Sequence, residues 1–260
     1  MTALEVRNLH KRYGQHIAVD DVSFTVDEGE VFGIIGSNGA GKTTTVECIA
    51  GLRTPDSGSI SVLGLDPIKD RAEVRERLGV QLQESSLPDA IRVAEALELY
   101  SSFYRNPADW RELMELLGLT EKRNTRYKAL SGGQKQRLSI ALTLVGGPKV
   151  AILDELTTGL DPQARRDTWG LIKRVRDTGV TILLVTHFMD EAERLCDRIA
   201  VIDGGRVAAV DTPAGLIAQS SAMQVVAEGL RAGRRNLDDA FVALTRRVPQ
   251  SPETSESRTD

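Results

Sequence analysis

The apolar positions of the chain change period along its length, and the changes outline its elements. Leu4, Val6 and Leu9, then Ile17, Val19, Val22, Phe24 and Val26, alternate with polar residues as strands do. Turn residues at Tyr13-Gly14 and Asp27-Glu28-Gly29 separate these runs. Val31 to Ile35 is a short continuous apolar run, which predicts a buried strand. Thr44 to Ala50 then reads as a helix with Gly51 at its end. Ser59 to Leu63 predicts another strand after Pro55-Asp56-Ser57-Gly58, and Leu78 to Gln83 a further one. From about Glu84 to Gly147 the period turns helical, with Val93, Leu97 and Tyr100 on one face and Leu113, Leu116 and Leu117 on another. Strand and helix then alternate: strand Val150–Asp154, helix Gln163–Asp177, strand Val180–Val185, helix Met189–Cys196 and strand Arg198–Ile202. Such βα units predict an α/β fold with a mostly parallel sheet. The helical middle, about 84–147, reads as an insertion into it. C-terminal helices are expected over about 213–247, where Leu237, Phe241 and Leu244 share a face. No internal repeat is evident. Residues 249–260 hold no apolar side chain beyond proline, so 248–260 are expected to be a disordered tail.

Composition narrows the class. With 41% hydrophobic and 27% charged residues, the chain has an ordinary soluble balance. A net charge of -4 argues against a nucleic-acid surface. No apolar run approaches the ~18 residues of a membrane span. The N-terminus lacks the basic-then-apolar order of a secretory signal. Cys48 and Cys196 stand apart, with no neighbouring metal ligand, and read as reduced structural thiols. Any histidine in a site must be His10, His16 or His187.

Candidate chemistry begins at Gly36-Ser37-Asn38-Gly39-Ala40-Gly41-Lys42-Thr43, which fits the phosphate-loop pattern G-x-x-x-x-G-K-[ST]. The glycines allow a tight turn that aims backbone N–H groups at phosphate oxygens. Lys42 can reach the β- and γ-phosphates and Thr43 can ligate Mg²⁺. A helix starting near Gly41 adds its positive end to the same anion. A second element is the apolar strand Val150–Leu153 ending in Asp154 and Glu155. Its Asp can deliver charge to Mg²⁺ beside the loop, and Glu155 can act as general base on water. A third is Leu130-Ser131-Gly132-Gly133-Gln134, two glycines and a serine at a helix start, another anion-binding end.

Taken together, these motifs resemble those of the nucleotide-binding subunits of ATP-binding cassette (ABC) transporters, over about residues 3–247. The resemblance implies a P-loop NTPase core, an N-terminal antiparallel β subdomain, an inserted α-helical subdomain, and ATP and Mg²⁺ as cofactors. Leu130–Gln134 matches the family's signature motif. By the same resemblance Tyr13 stacks on adenine and Thr44 belongs to the phosphate loop. Gln83 is the Q-loop glutamine, contacting Mg²⁺ and water, with Gln81 as the rival assignment. Asp161, after Gly159-Leu160, lies in the D-loop that crosses to a partner subunit. His187 is the switch histidine near the γ-phosphate. One departure is Leu156, where many members have proline after the Asp-Glu pair; it removes a rigid φ but no catalytic group.

The resemblance further implies a dimer around two ATP, each held by one subunit's loop and covered by the other's Ser131–Gln134. The dimer can be of identical or related chains. A separate integral-membrane permease is expected, with a short helix docking near residues 83–90, where Leu87, Pro88 and Tyr100 are apolar candidates. The stretch Thr186–Glu193, and Asn236–Thr245 near the C-terminus, are similar to drug-exporter ATPases of the daunorubicin-resistance type. The expected function is therefore ATP hydrolysis driving export, of drugs or antibiotics, at the cytoplasmic face of a bacterial membrane. An importer ATPase and a non-transport member of the superfamily remain as alternatives. Residues 44–130 are too short, and too poor in heptads, for the coiled coil of chromosome-maintenance members.

Overall fold

The computed structural model describes residues 1–82, 87–228 and 236–245. Gln83 and the expected tail lie outside the described residues. The elements run β1 (Thr2–Tyr13), β2 (His16–Asp27), β3 (Val31–Gly36), α1 (Lys42–Ile49), β4 (Ser57–Val62), α2 (Arg71–Arg75) and β5 (Leu78–Gln81). Then come α3 (Val93–Ser101), α4 (Trp110–Leu116), α5 (Gly132–Leu144), β6 (Val150–Asp154), α6 (Pro162–Asp177), β7 (Thr181–Thr186) and α7 (Met189–Leu195). The chain closes with β8 (Arg198–Asp203), β9 (Arg206–Asp211), α8 (Pro213–Glu228) and α9 (Leu237–Thr245).

Two sheets form. The smaller is antiparallel, in the order β2-β1-β4. Its inward residues step by two except from Val6 to Leu9 and from Val19 to Val22, and both irregular steps have one cause. Asn8 and Asp21 take left-handed backbone angles, φ 47° and 64°, and hydrogen-bond each other, Asn8 Nδ2 donating to Asp21 Oδ1 at 2.7 Å. The resulting bulge resets the alternation, so Leu9 and Val22 still point into the core. Ile17, which the alternation includes, is 45% exposed at the hairpin end.

The larger sheet has the order β5-β6-β7-β3-β8-β9, parallel throughout except for β9. β3, β6 and β7 are buried along their whole length. That is why they read as continuous apolar runs, the mark of strands covered on both faces. One core lies between this sheet and the helices α3 to α7 and α9; the other joins the antiparallel sheet and α1 to the opposite face. The antiparallel edge β9 and the short helix α2 had no counterpart in the periodicity. Strand β5 ends at Gln81, two residues before the run had indicated.

A buried polar link ties two helices beside the site. Trp169 Nε1 on α6 donates to Glu191 Oε1 on α7 at 2.9 Å, with Glu191 wholly buried. Glu191→Leu strands the indole N–H and is expected to lower stability by about 1–3 kcal/mol. Glu191→Gln keeps the acceptor and should stay close to wild type. Urea unfolding followed by tryptophan fluorescence measures both, and equal losses in the two variants would contradict this account.

Candidate functional site

Parallel register builds the site. Ile35 on β3 pairs with Thr186 on β7, and Asp154 on β6 with Val185 on β7. The three strands therefore end at one level, and Gly36, Asp154 and His187 leave the sheet along one edge. In an open α/β sheet this carboxyl edge is where ligands bind.

The loop Ser37–Gly41 is held by close backbone approaches. A Cβ on Gly36 would sit 2.3 Å from the Ile202 carbonyl oxygen, and one on Gly41 2.3 Å from that of Ala18. Gly41 also has φ 98°, a left-handed angle, as the residue before α1. Ala40 is buried beneath the loop while Ser37, Asn38 and Gly39 are exposed. The first N–H groups of α1 thus open toward solvent with no side-chain cap. Lys42 folds back over the loop, Nζ donating to the Gly36 and Ser37 carbonyls at 2.9 Å each. Burial lowers its pKa, while Glu155 and Asp154 act in the opposite direction. Thr43 is exposed and Thr44 half-buried at the same helix end. Thr45 turns inward, its hydroxyl donating to the Gly41 carbonyl at 2.9 Å.

Asp154 is buried, and neither carboxylate oxygen has a hydrogen-bond partner among the described residues. Burial first and the Glu155 charge second push its pKa up to about 6, against the pull of Lys42. A buried carboxylate whose oxygens face no donor among the described residues is the kind of hard oxygen ligand that suits a divalent cation such as Mg²⁺.

Glu155 follows at φ 49°, a strained angle for a residue with a side chain, and its N–H donates to the Val185 carbonyl at 2.8 Å. Its Oε1 lies 3.3 Å from His187 Nδ1, without the alignment of a hydrogen bond. Leu156, the departure noted in the sequence, is fully buried in the helical core, and Gly159 supplies a positive φ of 77° in the turn beyond. Tyr13, at the end of β1, keeps its ring 40% exposed between Arg53 and Lys11, whose charges lie 5.5 and 5.7 Å from its centroid. A partly exposed ring with two cations close by suits an anionic, aromatic ligand.

The remaining candidates gather elsewhere. Ser131 caps α5, accepting from Gln134 N at 3.3 Å, while Gln134 Oε1 accepts from Ser131 N at 3.0 Å. Asp161 caps α6, accepting from Gln163 N and Ala164 N, with Pro162 in the first helical position. Ser131, Gly132, Gly133 and Gln134 line one cleft of about 580 Å³ with Gly159, Leu160 and Asp161, and no residue of the phosphate loop lines it. The candidate residues thus fall in two separate places on the chain. Gln81, the rival for the Q-loop glutamine, is buried, with Nε2 donating to the Leu82 carbonyl at 2.9 Å and Oε1 facing no donor among the described residues. Arg165 and Phe188, which pack beside His187, were not singled out by the motifs; no spacing rule marks them.

A family model described as ABC transporter matches residues 19–158, more than half the chain. The chain belongs to the ABC transporter family. As an ABC transporter subunit it binds ATP and hydrolyses it to drive transport. It is similar to the Nod factor export ATP-binding protein I of Burkholderia orbicola (strain AU 1054), 43% identical over 229 residues, 86% of this chain and 75% of that protein. Among solved structures it resembles an ATP-binding subunit of an ABC transporter, with TM-score 0.79 at 31% identity over 93% of this chain and 99% of that one. It also resembles a dimeric ATP-binding cassette in a post-hydrolysis state with ADP and Pi, with TM-score 0.71 at 26% identity over 80% and 98%. The P-loop fold and the family expected from the motifs are those found. No described helix is long and apolar enough to cross a membrane.

Proposed function

We infer that this chain is the ATP-hydrolysing motor of a bacterial exporter, bound to the cytoplasmic face of the membrane through a separate permease. The observation that carries the reading is the convergence of Gly36–Thr44, Asp154, Glu155 and His187 on one sheet edge, while Ser131–Gln134 and Asp161 line a second cleft that no phosphate-loop residue enters. Two copies, or this chain and a related one, would complete each other's sites around two ATP. The dimeric relative with ADP and Pi supports that arrangement.

In this reading Tyr13 stacks on adenine, and Lys42 with the loop N–H groups holds the β- and γ-phosphates. Thr43, Asp154 and Gln83 would hold Mg²⁺, which when bound neutralises phosphate charge. Glu155 accepts a proton from water as its oxygen bonds to the γ-phosphorus and the bond to the β-phosphate oxygen breaks, releasing ADP. His187 hydrogen-bonds the transferred phosphoryl group, and Ser131–Gln134 and Asp161 of the other subunit close over it. Positioning and charge stabilisation provide the rate.

The permease helix would dock where the sheet meets the helical insertion. A groove of about 430 Å³ there is lined by Leu52, Leu78, Val80, Leu82, Phe103 and Tyr104, with Arg75 at its side, and Phe103 is 66% exposed. The earlier candidates Leu87 and Tyr100 line a smaller neighbouring cavity of about 140 Å³. Export rather than import is supported by relatives named as export ATP-binding proteins. Drugs or antibiotics are the proposed cargo, from the likeness of Thr186–Glu193 to drug-exporter ATPases. The test is to isolate the native membrane partner with this chain and measure efflux. Phe103→Glu and Leu52→Glu are expected to abolish co-purification while leaving ATP hydrolysis by the isolated chain within about twofold. A partner that brings solute inward, or full assembly with both substitutions, would refute the reading.

A further inference from the structure

Side-chain contacts join α6 and α7 at two levels, and at the one farther from the site the Arg194 guanidinium also lies over the Trp169 ring, 5.4 Å from its centroid. The deeper is the buried Trp169–Glu191 hydrogen bond. The second lies a turn closer to the site. There the Arg165 guanidinium stacks on the Phe188 ring, 3.9 Å from its centroid, and that ring packs 4.1 Å from the His187 imidazole, tilted by 40°.

The stack goes against the ordinary preferences of helix ends. Arg165 is the fourth residue of α6, where the positive end of the helix disfavours a cation. Its Nε is buried and has no hydrogen-bond partner among the described residues. Phe188 stands at the start of α7, a place usually filled by a capping side chain, and here no side-chain cap exists. Its N–H is instead taken by Thr186 Oγ1 at 3.0 Å, which fixes the turn that carries His187. At the other end, the N–H of Arg165 donates to the Asp161 carbonyl at 2.9 Å, in the turn that lines the Ser131–Gln134 cleft. The backbone of Arg165 is thus tied to the turn that lines this cleft, while its side chain leads through Phe188 to the imidazole 3.3 Å from Glu155.

We propose that Arg165 and Phe188 are positioning residues: their stack sets the orientation of His187 and couples it to whatever docks at Gly159–Asp161. A shift of the α6 N-terminus would move the guanidinium, the ring and the imidazole together, because the three are in continuous contact. The inference rests on the role assigned to His187 above.

The test is steady-state hydrolysis of Mg-ATP by the full chain. Phe188→Leu is expected to lower kcat about tenfold, with KM for ATP within twofold and the thermal midpoint little changed. Phe188→Tyr, which restores a ring, should recover kcat to within twofold of wild type. Arg165→Gln, a change at a half-buried position, should reproduce the Phe188→Leu loss. The double variant should be no slower than the slower single one, since both act through one stack. In a His187→Ala background, Phe188→Leu should add less than a twofold loss. The proposal is overturned if Phe188→Leu keeps kcat within twofold, or if it slows the His187→Ala chain as much as it slows wild type. Wild-type turnover by His187→Ala itself would instead remove the role of His187, and the stack's function with it.

Discussion

Glu155→Gln is expected to bind ATP and to hydrolyse it at least ~10²-fold more slowly, a loss typical of a general acid–base group. The amide keeps the size and hydrogen-bonding reach of the carboxylate but cannot take a proton from water. The geometry supports this base. The side chain is only 12% exposed, its backbone is held at φ 49°, and its Oε1 lies 3.3 Å from His187 Nδ1. A non-glycine residue in that region costs of order 1–3 kcal/mol, a cost that clusters at functional positions. With hydrolysis blocked, the variant should accumulate as an ATP-dependent dimer in size-exclusion chromatography. Near-normal turnover would remove Glu155 as the base; a monomer at every ATP concentration would count against two half-sites closing on one another.

Asp154→Asn should separate stability from function. At neutral pH the native carboxylate is above its raised pKa of about 6, so a charge sits buried with no hydrogen-bond donor among the described residues. Such a charge is costly until a cation compensates it. Removing it is expected to stabilise the nucleotide-free protein by about 1–2 kcal/mol, which for a chain of this size is a rise of about 2–6 °C in the thermal midpoint. The same change should abolish the extra stabilisation that Mg²⁺ adds to ATP, because the buried anion is gone. Thermal melts with and without ATP and Mg²⁺ measure both effects. An unchanged response to Mg²⁺ in Asp154→Asn would exclude this residue as a cation ligand.

Burial also quiets the thiols. Desolvation raises the Cys48 pKa to about 11 and that of Cys196 well above its usual value, and both are free. They behave as core residues, as their isolation in the sequence had indicated. Cys196 shows why: a Cβ on Gly33 would lie 2.7 Å from its sulfur, so the end of α7 packs directly on β3.

What the chain determined by itself is whatever depends on neighbouring residues. The phosphate loop is legible because its turn, its N–H array and its helix start are all set by the local run Gly36–Thr43. The buried strands are legible because continuous apolar runs have few alternatives. The Asn8–Asp21 bulge left its trace as two skipped steps in the alternation. The capping roles of Ser131 and Asp161 follow from residues two or three positions away. Tertiary structure decided everything that joins distant segments. β3 and β6 are not neighbours; β7 lies between them, and parallel register alone brings Gly36, Asp154 and His187 to one edge. The weak edge strand β9 forms because β8 offers it a partner, since six residues with little alternation of burial hold no strand unaided. The Arg165–Phe188–His187 stack was invisible for the same reason: a contact between side chains of two helices has no period, and only the packing of α6 on α7 brings it into being.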